Sequence, residues 1–135
     1  MSTISLLTSQ TKQSKAIPRI NRNSKLFKAI LQAVQEKKAE AIVSLDLRKI
    51  PEAVADFFII CQATSTTQVK AIADNVEHRV KELCMELPYR HEGTQAAQWV
   101  LVDYVNVVVH IFQPETRKFY RLEEMWSDAE VQEHA

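Results

Sequence analysis

The stretch that decides the fold runs from Trp99 to Phe112 and reads WVLVDYVNVVVHIF. Two runs rich in β-branched and aromatic residues flank Val105-Asn106, a pattern typical of a β-hairpin. A two-residue turn there fixes the register, and the opposed pairs are then Tyr104 with Val107, Asp103 with Val108, Leu101 with His110 and Trp99 with Phe112. Because a β-branched residue resists the positive φ of such a turn, a bulge or a longer loop is the alternative.

This register divides the hairpin into two faces of different character. The aliphatic face is expected to lie against helices and holds Val100, Val102, Tyr104, Val107, Val109 and Ile111. The mixed face holds Trp99, Leu101, Asp103, Val108, His110 and Phe112. Aromatic and aliphatic groups with a few polar ones are typical of an interface core, so the mixed face predicts partner binding. The alternative is that Asp103 and His110 form a satisfied polar pair on a half-covered face.

Helices and strands alternate in the sequence before the hairpin. Apolar residues at helical spacing predict a helix from Ser24, and residues 41–47 predict a strand. The apolar run Phe57–Cys61 predicts a central strand covered on both faces. Ser65-Thr66-Thr67-Gln68 has the form of a capping box and opens a long helix, which Pro88 should end. The prediction is an α/β fold, a mixed β-sheet flanked by helices.

Length and charge predict one acidic domain with a basic leader. The chain has 135 residues, which suits a single core, placed here at 24–135. Residues 1–35 hold six basic side chains and no acid, whereas 36–135 hold eleven basic and seventeen acidic ones, a net charge of −6. Such a body suits a basic protein partner better than a phosphate backbone. The leader, 1–23, is expected to be a disordered tail; a transit peptide for an organelle, or an arm that reaches RNA, is the alternative.

The composition argues against an enzyme. Phosphate-binding loops need several glycines, and this chain has one, Gly93. Ser65, Asp103 and His110 are the only conceivable hydrolase set, but no nucleophile elbow supports it. Two cysteines and scattered histidines predict no metal site or disulfide scaffold, and no other cofactor is expected. No apolar run reaches the length of a membrane span, so a soluble protein is expected, and the low number of cysteines favours a reducing, cytoplasmic compartment.

Three ordered blocks resemble the ribosomal silencing factors, the Iojap family. The first is Asp56–Cys61, followed by Ser65 and a helix start at Gln68. The second is the hairpin itself, preceded by Glu92-Gly93. The third is similar to the family's closing pattern and comprises Arg117, Tyr120, Arg121, Leu122, Glu123 and Trp126. The chain departs from the family at Val105-Asn106, where Gly-Asp is common, and at Gln62-Ala63-Thr64, where Thr-Gly-Asn is usual.

The resemblance implies a fold related to nucleotidyltransferases but without their catalytic acids. It implies docking on the large ribosomal subunit, at the ribosomal protein numbered fourteen, which blocks the small subunit sterically and lowers translation when nutrients are short. The free protein is expected to be a monomer or homodimer. The residues expected to bind the partner are Trp99, Leu101, Asp103, His110, Phe112, Tyr120 and Glu123.

Two other functions remain open from the sequence. A degenerate nucleotidyltransferase would bind nucleotide and a divalent metal near Asp56 and Asp103. An RNA-binding module would use the basic leader and depend steeply on salt.

Overall fold

The computed structural model describes residues 19–53 and 55–135. Within them, the helices are α1 (Lys25–Glu36), α2 (Thr66–Cys84), α3 (Pro114–Tyr120) and α4 (Leu122–Met125). The strands are β1 (Glu40–Asp46), β2 (Phe57–Gln62), β3 (Arg90–Glu92), β4 (Trp99–Asp103), β5 (Val107–Phe112) and β6 (Glu130–His134).

One mixed sheet carries the fold, with strand order β3-β4-β5-β2-β1-β6. Strands β2 and β5 are parallel, and the other neighbouring strands are antiparallel. The prediction of a mixed sheet flanked by helices is confirmed, and β2 lies in the interior of the sheet, as its continuous apolar sequence indicates. The relation to nucleotidyltransferases stays a prediction.

Helices α1 and α2 cover one face of the sheet. Ser24 caps α1, since its hydroxyl accepts the backbone N–H of Phe27. The Phe27 ring then meets Phe57 of β2 edge to face, with ring centroids 5.0 Å apart. The aliphatic face of the hairpin shares one buried cluster with these two helices, so the expectation that this face lies against helices is confirmed. Its members in that cluster are Val100, Val102, Tyr104, Val107, Val109 and Ile111.

The hairpin turn is tighter than a standard two-residue turn. The pairs from Trp99–Phe112 to Asp103–Val108 confirm the predicted register. Val105 takes φ +73°, and the Asn106 amide donates to the Tyr104 carbonyl two residues earlier, as in a γ-turn. A β-branched residue is strained at this φ.

Val105→Gly is therefore expected to stabilise the protein by about 1 kcal/mol. Strain of roughly 1–3 kcal/mol is relieved, and the extra backbone entropy of glycine offsets roughly 0.5–1 kcal/mol of that gain. Urea unfolding of both proteins measures the difference. Val105→Ala, which keeps a Cβ, is the matched control, and a Val105→Gly protein no more stable than this control would contradict the strain argument.

Helix α2 ends earlier than predicted. The helix stops at Cys84, where Met85 takes a left-handed cap at φ 58°, so Pro88 lies beyond its end. Leu83 and Leu87 are exposed. Apolar residues at helical spacing from Val69 to Leu87 predict one buried stripe on this helix, and that prediction was wrong at Leu83 and Leu87. The capping box is half correct: Ser65 accepts the Gln68 amide, but the Gln68 side chain donates to the Lys37 carbonyl instead of reaching back.

Residues 19–23 at the end of the predicted leader contact the folded body, and the rest of the leader, 1–18, lies outside the described residues. The Ile20 amide donates to Asp56 Oδ2 over 2.9 Å, and the Arg22 guanidinium lies 3.7 Å from Asp46. These contacts tie residues 19–23 to the folded body. The disordered leader and the domain boundary at residue 24 stay predictions.

Candidate functional site

The mixed face of the hairpin is the second core of the protein. It is covered by the loop after β1 and by the α3–α4 region, with Leu45, Leu47, Phe58, Ile60 and Leu122 among the buried contacts. Five of the residues expected to bind a partner are at most 3% exposed: Trp99, Leu101, Asp103, His110 and Phe112. The expectation that this face is an exposed interface was wrong, because apolar residues far apart in the sequence fold over it.

His110 is a buried neutral base held by Trp99. The Trp99 indole Nε1 donates to His110 Nδ1 over 3.1 Å, so the ring proton sits on Nε2. Nε2 has no hydrogen-bond partner among the described residues, and the Phe58 ring lies edge-on at 4.6 Å. Burial lowers the pKa of His110 to about 3, and this side chain therefore remains uncharged at neutral pH.

Asp103 does not pair with His110, contrary to the alternative considered above. Its Oδ1 accepts the Val105 amide over 2.7 Å, and Arg90 Nε approaches Oδ2 at 3.4 Å. The carboxylate thus ties the strained turn to the edge strand β3. We assign it a structural role, because a buried carboxylate is stable only with such partners.

Arg117 holds α3 against the sheet. Its guanidinium donates to the Ala41 carbonyl over 2.8 Å, to the Gln62 side-chain oxygen over 3.1 Å and to Glu123 Oε2 over 2.7 Å. Glu123, expected to bind a partner, is therefore engaged inside the chain. The sequence placed Arg117 in a motif but did not show that it joins α3, α4 and two strands.

Tyr120 supplies the exposed aromatic ring of the predicted site. Its ring is 40% exposed and packs on Trp99 with centroids 4.9 Å apart, while Trp99 stacks in turn on Phe112 at 4.8 Å. Phe119 meets the Tyr120 ring edge to face at 5.0 Å and is 78% exposed. Two exposed aromatic rings therefore rest on a rigid buried base.

A groove lies beside Tyr120. It has a volume of about 510 Å³ and is lined by Glu92, Gly93, Gln95, Ala96, Gln98, Trp99, Thr116 and Tyr120. We call it the Trp99–Tyr120 groove. A wider cleft of about 680 Å³ lies around Arg117, but most of its lining is charged, and the Arg117 and Glu123 side chains there bond to each other. Aromatic anchors favour the Trp99–Tyr120 groove as the docking site.

Fold and site together define an α/β domain whose exposed aromatic rings adjoin a surface groove. The family model described as "Ribosomal silencing factor during starvation" matches residues 20–135. The chain belongs to this family, which supports a role as a ribosomal silencing factor.

Individual relatives agree with the family assignment. The ribosomal silencing factor RsfS of Halalkalibacterium halodurans is 42% identical over 107 residues, covering 79% of this chain and 90% of the relative. A mouse protein named "Mitochondrial assembly of ribosomal large subunit protein 1" is 38% identical over 74 residues, 53% of this chain and 32% of its own length. A crystal structure of a Chromobacterium violaceum protein superposes with a TM-score of 0.71 at 32% identity, covering 76% of this chain and 83% of that one.

In residues 19–53 and 55–135, we find no helix with both the length and the apolar character that a membrane span requires.

Proposed function

We propose that this protein docks on the large ribosomal subunit, at the ribosomal protein numbered fourteen, through the Trp99–Tyr120 groove and the neighbouring Phe119 ring. Bound there, it blocks the small subunit sterically and represses translation. The observation that carries the proposal is the pair of exposed aromatic rings on a buried aromatic stack. Family membership supports the ribosome as the partner, and the name of the mouse relative supports the large subunit.

Preorganisation makes this surface suited to tight binding. Tyr120 is already held by Trp99, so little side-chain entropy is lost when a partner covers it. Phe112 and His110 act as the support beneath the surface, because they are fully buried. Trp99 supports the Tyr120 ring and lines the groove with the small part of it that is exposed. Large aromatic side chains on such a base are the residues in which binding energy concentrates.

Charge favours a basic protein partner. Residues 36–135 carry a net charge of −6, and complementary potentials speed encounter and fix orientation. The bacterial relatives favour the cytoplasm as the place where this occurs. Contact between the leader and ribosomal RNA stays a prediction.

Phe119→Ala tests the surface directly. We expect it to weaken binding to isolated large subunits by about 2 kcal/mol, roughly thirtyfold in Kd, without a loss of stability, since the ring is mostly exposed. Co-sedimentation with large subunits gives the affinity, and added small subunits report whether joining is blocked. Tyr120→Ala should give a similar loss.

Met125→Ala is the matched control, because Met125 is also an exposed apolar residue, on α4. It does not line the Trp99–Tyr120 groove and should bind like the wild type. Unchanged binding by folded Phe119→Ala and Tyr120→Ala proteins would place the interface elsewhere on the molecule.

A further inference from the structure

Helix α3 carries the exposed rings of Phe119 and Tyr120, yet it has little apolar attachment to the rest of the protein. Of its seven described residues, Pro114–Tyr120, none is buried. Its N-cap residue, Gln113, makes no side-chain cap hydrogen bond. A helix this short is marginal on its own in water, because most helical stability in proteins comes from tertiary packing. Contacts other than a buried apolar face must therefore hold α3 in place.

Two side chains on one side of α3 attach it to the body of the protein. Arg117 and Tyr120 are three residues apart, so they lie on the same side of the helix. The Tyr120 ring packs on Trp99 and fixes the end of the helix. The Arg117 side chain is only 11% exposed, and its guanidinium makes the three hydrogen bonds described above. Those bonds fix a second point, nearly one turn earlier, and so set the direction of α3.

The sheet offers Arg117 an acceptor because strand β1 carries a bulge. The register between β1 and β2 shifts between Glu40 and Val43, and Ala41 lies in this bulge with φ +49°. A bulge leaves its extra residue unpaired in the ladder. The Ala41 carbonyl accepts from Arg117 Nη1 over 2.8 Å, and the same nitrogen donates to the Gln62 side chain at the end of β2. The bulge and Arg117 together therefore join α3 to two strands.

Arginine is suited to this position because its donors point in several fixed directions. The planar guanidinium presents its N–H groups as a rigid fork, so one side chain serves acceptors in different elements at the same time. While Nη1 of Arg117 reaches the sheet, Nη2 donates to Glu123 Oε2 on α4 over 2.7 Å. Glu123 was expected to bind the partner, but its carboxylate orients Arg117.

We propose that Arg117 is a positioning residue for docking, whose bonds hold α3 on the sheet so that the Phe119 and Tyr120 rings are in place before the partner arrives. Glu123 influences binding through Arg117 and not by touching the partner. This inference rests on the function proposed above. A protein without these bonds populates states in which α3 is released from the sheet. Its apparent affinity then falls in proportion to the fraction of molecules that keep α3 docked.

Fluorescence quenching tests the position of α3 without the ribosome. In a Trp126→Phe background, Trp99 is the one tryptophan of the chain. That change breaks no hydrogen bond, because the Trp126 indole N–H has no partner among the described residues. Trp99 is 3% exposed beneath Tyr120, so acrylamide should quench it weakly. Arg117→Met should raise the quenching constant at least about threefold, because a released α3 carries the Tyr120 ring away from Trp99.

Lys118→Met is the matched control for this measurement. It removes one positive charge from the same helix and the same cleft, but Lys118 is exposed and makes none of the three Arg117 bonds. Its quenching constant should equal that of the background protein. Equal quenching in the Arg117→Met and Lys118→Met proteins would overturn the proposal.

Glu123 supplies a second, milder pair of variants in case Arg117→Met does not fold. Glu123→Ala removes one of the three Arg117 bonds, whereas Glu123→Gln keeps an oxygen that accepts from Nη2. Glu123→Ala should raise the quenching of Trp99, and Glu123→Gln should restore the background value. Background quenching in the Glu123→Ala protein would count against the proposal as decisively as the first comparison.

Co-sedimentation with large subunits tests the consequence for docking. Arg117→Met should weaken binding at least about tenfold, the result expected when a tenth or less of the molecules keep α3 docked. Lys118→Met should bind like the wild type. Wild-type affinity in a folded Arg117→Met protein with exposed Trp99 would refute the positioning role and leave the proposed docking intact. A wild-type protein that does not bind large subunits would refute the proposed function, whereas the quenching result would still report what holds α3.

Discussion

Gly93→Ala is expected to lower the free energy of unfolding by about 3–5 kcal/mol, the largest effect of any single substitution proposed for this chain. Gly93 has φ +83°, which alanine adopts only with strain. A Cβ there would also overlap the carbonyl oxygen of Trp99. The opposing group is backbone in β4, so it has no rotamer through which to move away.

The consequence should be visible in thermal unfolding. A loss of this size lowers Tm by roughly 10–20 °C in a domain of about this length. Gln95→Ala, at an exposed position of the same loop, is the matched control and should unfold like the wild type. A Gly93→Ala protein within about 1 kcal/mol of the wild type would mean that the loop relaxes away from β4. Because Gly93 lines the Trp99–Tyr120 groove, even a folded variant should bind large subunits less tightly.

The sequence predicted the parts of the fold that depend on local pattern. Hairpin register follows from the strict alternation between Trp99 and Phe112, and Ser24 and Ser65 cap helices as their positions indicate. Strands β3 and β6 were missed, because each is a short edge strand of mostly charged and polar residues with no clear alternation of its own.

The burial of the mixed hairpin face was beyond sequence reasoning for a physical reason. An interface core and a protein core have the same composition, so the residues alone do not say which of them a sheet face forms. The face is closed here by α3 and α4, and Arg117 fixes α3 through bonds to Ala41 and Gln62, which lie far from it in the sequence. Tyr120 is the one aromatic residue among the predicted contacts that is exposed, and the exposed Phe119 beside it was not predicted at all.

Acidification is expected to destabilise the protein through His110. This is the second of the two largest effects on stability that we predict. The unfolded side chain binds a proton below its ordinary pKa of 6.5, whereas burial holds the folded pKa at about 3. Above pH 6.5 both states are neutral and His110 contributes no pH dependence. Below it the unfolded state takes up the proton and the folded state does not, so stability falls as the pH falls. The loss from this residue reaches about 3 kcal/mol at pH 4.

His110→Phe isolates this contribution. The substitution leaves the Trp99 indole N–H without its acceptor, which costs about 1–3 kcal/mol at any pH. It also removes the titrating group, so the variant should lose less stability than the wild type between pH 7.5 and pH 4. Urea unfolding at several pH values measures both effects, and His78→Gln, at an exposed histidine, should keep the wild-type pH dependence. Parallel pH profiles for His110→Phe and the wild type would show that His110 is protonated in the folded state.

The acid dependence also separates the two roles first considered for the hairpin. A histidine at a partner interface is solvated in the free protein, so it would titrate near its ordinary pKa, and mutating it would chiefly change binding. A buried histidine with a depressed pKa acts on stability instead. It affects binding only through the Trp99 ring, which packs against it, and the Tyr120 ring, which packs on Trp99. We therefore expect His110→Phe to weaken ribosome binding less than Phe119→Ala does, although His110→Phe destabilises the fold far more.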